Sequence, residues 1–178
     1  MGIAETDYPI METMIERNDN SEDQNMLKAG AEVPDFVLQN EQGEHVSLAG
    51  LLKQGPLILY FYPADFTPGC TKEACSIRDI HDDIVAVGLQ VVGVSPQDPE
   101  SHARFRDKHN LPFTLLCDPD KEVAKMFDVE GRFGISVRRA TFLINTDGTI
   151  ADAILADILV SQHKSFIEKA IALRKGAD

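Results

Sequence analysis

The chain's three cysteines are the residues with most chemistry to offer, and their surroundings differ. Cys70 ends the stretch Tyr62-Pro63-Ala64-Asp65-Phe66-Thr67-Pro68-Gly69, and Cys75 follows on the same expected helix. A cysteine after Pro-Gly, where an apolar run gives way to a helical pattern, lies at a helix start. Unpaired backbone N–H groups and the positive end of the helix dipole favour an anion there. The thiolate is the nucleophilic form of the side chain, so the location suits a reactive sulfur. Thr67 can offer a hydroxyl to an oxygen bound beside that sulfur. Pro63 stiffens the loop and presents no N–H of its own. Cys117, in the apolar run Thr114-Leu115-Leu116-Cys117, reads instead as a small buried hydrophobe.

The spacing of Cys70 and Cys75 restricts what they can do together. In an intact helix, residues five apart have Cα atoms ~8.5 Å apart and point to different faces. Disulfides rarely tolerate Cα separations beyond about 7 Å. A bond between these two sulfurs therefore requires the first turns of the helix to unwind. Three readings stay open: a reactive pair coupled to local unwinding, two unrelated helix cysteines, or half of a metal site. The metal reading is the weakest, because no second Cys/His pair follows at ligand spacing. His45, His81, His102, His109 and His163 are scattered among polar neighbours and read as surface residues.

The elements that must position Cys70 follow from apolar patterning. Pro56-Leu57-Ile58-Leu59-Tyr60-Phe61-Tyr62 is a nearly continuous apolar run, suited to a central strand buried on both faces. Cys70 to about Ala86 reads as a helix, and Leu89 to Ser95 as a second buried strand. Asp98 to Lys108 reads as a helix, Thr114 to Cys117 as a short strand, and Lys121 to Met126 as a helical turn or two. Asp35 to Gln39 and His45 to Leu48 flank a Gly-containing turn and form an N-terminal hairpin. A later hairpin joins Thr141 to Asn145 with Thr149 to Asp152 through the Asp147-Gly148 signal. Ser161 to Lys175 closes the domain as an amphipathic helix with Phe166, Ile167, Ala170, Ile171 and Leu173 on its apolar stripe. Strands alternating with helices indicate an α/β fold, a central mixed β-sheet flanked by helices.

Composition narrows the partners. A 178-residue chain with 43% hydrophobic residues fits one domain with a full core. A net charge of -12 opposes binding to nucleic acid or an anionic membrane, and leaves small neutral substrates compatible. Residues 1–27 form an acidic extension, read as mobile, whose only basic residue is Arg17. Ile10, Met11, Met14 and Ile15 recur at helical spacing and would allow a short docked helix there. The domain proper is expected over 28–178. The N-terminal stretch has neither the basic start and apolar centre of a secretory signal nor the Arg-rich character of a transit peptide. With sparse cysteines, the expectation is a cytoplasmic protein with working thiols.

Pro63-Ala64-Asp65-Phe66-Thr67-Pro68-Gly69-Cys70 resembles the peroxiredoxin active-site signature, Pro-x-x-x-Thr-x-x-Cys. The continuation to Cys75 resembles the bacterioferritin comigratory protein, or peroxiredoxin Q, subfamily. The likeness runs from about Leu27 to the C-terminus, through Leu115-Leu116-Cys117-Asp118-Pro119-Asp120 and Arg139-Ala140-Thr141-Phe142-Leu143-Ile144. It implies a thioredoxin-like fold and thiol-dependent reduction of hydrogen peroxide and organic hydroperoxides, without metal, haem, flavin or other cofactor. It also implies Cys70 as the peroxidatic and Cys75 as the resolving cysteine, with Pro63, Thr67 and Arg139 completing the site. Arg139 is preferred to Arg138 because it stands two residues before Thr141; alternation along a strand sends the pair to opposite faces. Thioredoxin or a similar dithiol is the implied reductant, and a monomer or weak dimer the implied assembly. The alternative is a thiol-disulfide exchange or redox-sensing protein without peroxidase turnover, which the missing Cys-x-x-Cys disfavours. The acidic extension and Cys117, where the family commonly has serine, are departures from the pattern.

Overall fold

The computed structural model describes residues 26–134 and 136–176. In chain order the elements are β1 (Val37–Asn40), β2 (His45–Ser47), α1 (Leu48–Leu52), β3 (Leu57–Phe61), α2 (Pro68–Arg78), α3 (His81–Ala86) and β4 (Gln90–Ser95). There follow α4 (Pro99–His109), β5 (Thr114–Cys117), α5 (Glu122–Met126), a 3-10 turn at Arg132–Gly134, β6 (Ala140–Ile144), β7 (Ile150–Leu155) and α6 (Ser161–Lys175). The expected mixed sheet and both hairpins are present: one seven-stranded sheet runs β2-β1-β5-β4-β3-β6-β7. Strands β3, β4 and β5 are mutually parallel neighbours, and the outer pairings are antiparallel.

The sheet divides the interior in two. Along β3, Leu57, Leu59 and Phe61 join a cluster with Leu48, Leu116, Phe127 and Phe142. Ile58 and Tyr60 join the other, with Cys70, Ala74, Ile77, Phe105, Phe166 and Ile167. This is the period-2 alternation of a strand buried on both faces. The second layer brings α2 and α6 together over β3 and β6. Gly93, paired with Tyr60 across β3 and β4, makes room for that ring: a Cβ there would stand 2.7 Å from Tyr60 Cζ.

Three local expectations change. The helix expected from Cys70 to Ala86 is two helices, broken at Asp79 and Ile80, where Ile80 has φ -113 and ψ 10. The break re-aims the chain so that Ile84 is fully buried under α6. The return strand stops at Ser47, whose hydroxyl oxygen accepts the Gly50 N–H at 3.0 Å and starts α1. Leu173 is exposed rather than part of the α6 stripe; the buried face carries His163, Phe166, Ile167, Ala170 and Ile171. Most of the acidic extension, with the short helix at Ile10 to Ile15, lies outside the described residues. Met26 and Leu27 pack on the first apolar cluster, and the Leu27 N–H donates to the Phe127 carbonyl at 3.3 Å. Among the described residues no helix is long and apolar enough to cross a membrane.

Candidate active site

β3 delivers the chain to the site. The Tyr62 N–H donates to the Val94 carbonyl at 3.1 Å, and half-buried Pro63 then turns the chain into the loop before α2. Thr67 caps the helix in extended conformation without a side-chain cap bond, and Pro68 is its first residue. The first helical bond runs from the Thr71 N–H to the Thr67 carbonyl at 2.9 Å. The Gly69 and Cys70 N–H groups therefore precede the helical ladder and remain donors at the helix start. The Thr67 hydroxyl donates to the Ala64 carbonyl at 3.0 Å, so its lone pairs, not its proton, face a bound oxygen.

Arg139 closes the site from the segment before β6. Its Nη2 donates to Cys70 Sγ at 3.3 Å. Nη1 binds Glu73 Oε2, and its backbone N–H donates to Asp157 Oδ1 at 2.8 Å. Arg138 turns the other way, with Nε and Nη2 on Asp157 Oδ2 at 3.0 and 2.8 Å. Gly69 packs directly on the guanidinium: a Cβ built there would stand 3.2 Å from Arg139 Nη2. Burial works against the Arg139 charge, but Glu73 and Cys70 outweigh it and its pKa rises.

Behind Arg139 stands a polar chain that the sequence reading missed. Glu73 is fully buried, and burial lifts its pKa from 4.5 to about 7 against the attraction of Arg139. Its second oxygen has no hydrogen-bond partner and lies 3.7 Å from His163 Nδ1. His163 is also fully buried, not at the surface as expected; burial lowers its pKa to about 4 and keeps the ring neutral. Its Nε2–H donates to the Ala156 carbonyl at 3.0 Å, and its Nδ1 accepts the Thr141 hydroxyl at 2.8 Å. A neutral ring makes no ion pair with Glu73.

His102 is the second histidine misread as surface, and it anchors the loop. Asp65 Oδ2 accepts from His102 Nδ1 and from the Ser101 hydroxyl, each at 2.8 Å, and Oδ1 accepts the Tyr62 hydroxyl at 2.8 Å. The other ring nitrogen of His102 faces the Leu116 carbonyl at 3.1 Å. Both ring nitrogens thus meet oxygen partners, which fixes the ring and, through Asp65, the loop. The next residue, Phe66, is held at φ 61, a left-handed conformation unusual for a bulky side chain, with its ring edge-on to Phe105 at 5.3 Å.

Cys75 is half-buried, one and a half turns along α2 from Cys70, and all three cysteines are free thiols. Cys117 is buried in β5, and burial, followed by Asp98, Asp65 and Glu41, pushes its thiol up to about 12. The structure brings Cys70, Arg139 and the start of α2 together, places Thr67 and Pro63 on the loop between β3 and α2, and keeps Cys117 in a strand of its own.

A thiol at a helix start, in contact with a buried guanidinium on a mixed sheet, is an arrangement suited to a thiol-dependent enzyme on a thioredoxin-like fold. The AhpC/TSA family pattern matches residues 29–153, and the chain belongs to that family, the peroxiredoxins. It is a thiol-dependent peroxidase. Peroxiredoxin Bcp of Bacillus subtilis is 42% identical over 130 residues, 70% of this chain and 82% of that protein. Among solved structures, peroxidoxin BcpB from Mycobacterium tuberculosis superposes with a TM-score of 0.77 at 36% identity, over 85% of this chain and 99% of that one. Xanthomonas campestris peroxiredoxin Q gives 0.71 at 28% identity, over 78% and 90%.

Proposed function

We propose that Cys70 is the peroxidatic sulfur and Cys75 its resolving partner in an intramolecular cycle. The observation that carries this reading is the Arg139 Nη2 contact to Cys70 Sγ at 3.3 Å, at a helix start whose N–H groups are free to donate. A thiolate there attacks the distal oxygen of a hydroperoxide in line with the O–O bond. The sulfur gains that oxygen as a sulfenic acid, and the other oxygen leaves with the bonding pair and takes up a proton as water or alcohol. Arg139 and the Gly69 and Cys70 N–H groups stabilise the charge that grows on the departing oxygen. Thr67 accepts the hydroperoxide O–H through its free lone pair, and Pro63 holds the loop that carries it.

Cys75 then condenses with the sulfenic acid, joining the two sulfurs and releasing water. A dithiol such as thioredoxin restores both thiols by exchange. Organic hydroperoxides fit as substrates: alkyl peroxide reduction is attributed to the Xanthomonas campestris bacterioferritin comigratory protein, and apolar Val160, near enough that a Cβ on Gly69 would meet it at 3.9 Å, is close in sequence to exposed Ile158 and Leu159. A cytoplasmic monomer completes the proposal.

Stopped-flow mixing with hydrogen peroxide tests the roles. Cys70→Ser should abolish peroxide consumption, and retained turnover would defeat the assignment. Cys75→Ala should react once per chain and recycle poorly with thioredoxin. Normal cycling of that variant would transfer resolution to Cys117 or to a second chain.

A further inference from the structure

Glu73 lies on α2 between the two sulfurs and is completely buried. It binds Nη1 of the guanidinium whose Nη2 holds Cys70, while its other oxygen has no hydrogen-bond partner. Residues 70–75 must leave the helix before the sulfurs can meet, and Glu73 sits in that segment. We propose that Glu73 is the latch on α2: the segment uncoils only when this side chain leaves its site against Arg139, and the charge on its carboxyl decides how readily it leaves. The inference rests on reading Cys75 as the resolving thiol. The step it gates is Cys70–SOH plus HS–Cys75 giving Cys70–S–S–Cys75 and water, which needs no further reactant.

The direction of control follows from what surrounds the carboxyl. Arg139 faces it from the segment before β6, His163 from α6, Tyr60 from β3 and Cys70 from its own helix; Asp65 and Asp157 act on the same cluster from the flanking loops. His163 is neutral above about 4 and Tyr60 is held well above 10, so neither ring carries charge beside Glu73 across that range. Buried Glu73 holds its proton up to about 7, whereas a freed carboxyl loses it near 4.5. Opening α2 between those values releases a proton, so a neutral carboxyl keeps the latch closed and an ionised one favours release. The opening constant should rise about tenfold per pH unit across that window and level off above it.

Hydrogen–deuterium exchange on a Cys70→Ser chain, whose residue 70 carries no charge to couple to the helix, reads the opening directly. After correction for intrinsic exchange, protection of the hydrogen-bonded amides of residues 71–75 should fall about tenfold per unit from pH 5 to 7, with α6 amides as the constant reference. Adding Glu73→Gln, neutral at every pH, should abolish the slope. Quenched-flow mass mapping should then find the wild-type rate of disulfide closure, relative to Glu73→Gln, rising over the same window. Protection that stays constant from pH 5 to 7 in the Cys70→Ser chain would overturn the latch. A Cys75→Ala chain that still closes an intramolecular disulfide would overturn the resolving role and with it the gated step, whatever the slope. A flat slope with Cys75 required would overturn the latch alone.

Discussion

Gly69→Ala should make the protein slower without making it weaker. Gly69 is the second residue of α2 and its backbone is not left-handed, so alanine fits the helix. Within a helix that exchange contributes about 0.5–1 kcal/mol of stability, because glycine loses more freedom on folding. The added Cβ stands 3.2 Å from Arg139 Nη2 and 3.9 Å from Val160 Cγ2, tighter than ordinary contact on the guanidinium side. Arg139 is tied by Glu73 on Nη1 and by Asp157 on its backbone N–H, so it must give by a few tenths of an ångström and take Nη2 off the sulfur. If a displacement of 1 Å costs roughly a hundredfold, one of about half that size costs about tenfold. Single-turnover stopped-flow with hydrogen peroxide should record that drop, while the urea midpoint stays level or rises. A peroxide rate within about twofold of wild type would refute the claim that the guanidinium position is critical. Loss of rate together with loss of stability would mean that the packing, not the alignment, had failed.

Two further outcomes follow from the buried groups. Glu73 binds its proton more tightly folded than unfolded, so its contribution to stability falls as pH rises from 4.5 to about 7. His163, lowered from 6.5 to about 4, contributes stability that grows as pH rises from about 4 to 6.5. The two nearly cancel in the wild type; denaturant titrations at a series of pH values should reveal His163's rise in Glu73→Gln, at on the order of 1 kcal/mol per pH unit. A flat profile in that variant would mean that His163 titrates alike in both states. Cys117→Ala should leave peroxide turnover unchanged and cost about 1–2 kcal/mol of packing, and native alkylation at neutral pH should modify only Cys70 and Cys75. Labelled Cys117 would contradict a thiol held at about 12.

Much of the site was legible because its signals are local. The apolar run into β3, the Pro-Gly before Cys70 and the alternation that separates Arg138 from Arg139 all act within a few residues. The polar support of the site was less legible, because its charged and polar side chains lie in the interior rather than at the surface where such residues usually stand. Glu73 shares a face with Cys70, Ala74 and Ile77, and His163 stands one turn before the buried Phe166 as His102 does before Phe105. A polar residue in phase with an apolar stripe was the available sign of burial. The break between α2 and α3 left no such sign, because Ile77, Ile80 and Ile84 continue the same spacing across it. Strand order likewise depends on pairings between distant segments, which no local pattern encodes.

The membership of Cys70 in the apolar layer under α2 has a consequence for engineering. A helix stiffened to raise thermal stability would hold the oxidised sulfur in place, away from its partner, while the next peroxide arrives. Such a variant would survive heat better and succumb sooner to its own substrate, passing to the sulfinic acid instead of closing the cycle. Durability toward temperature and durability toward oxidant are thus opposed at this one turn of helix.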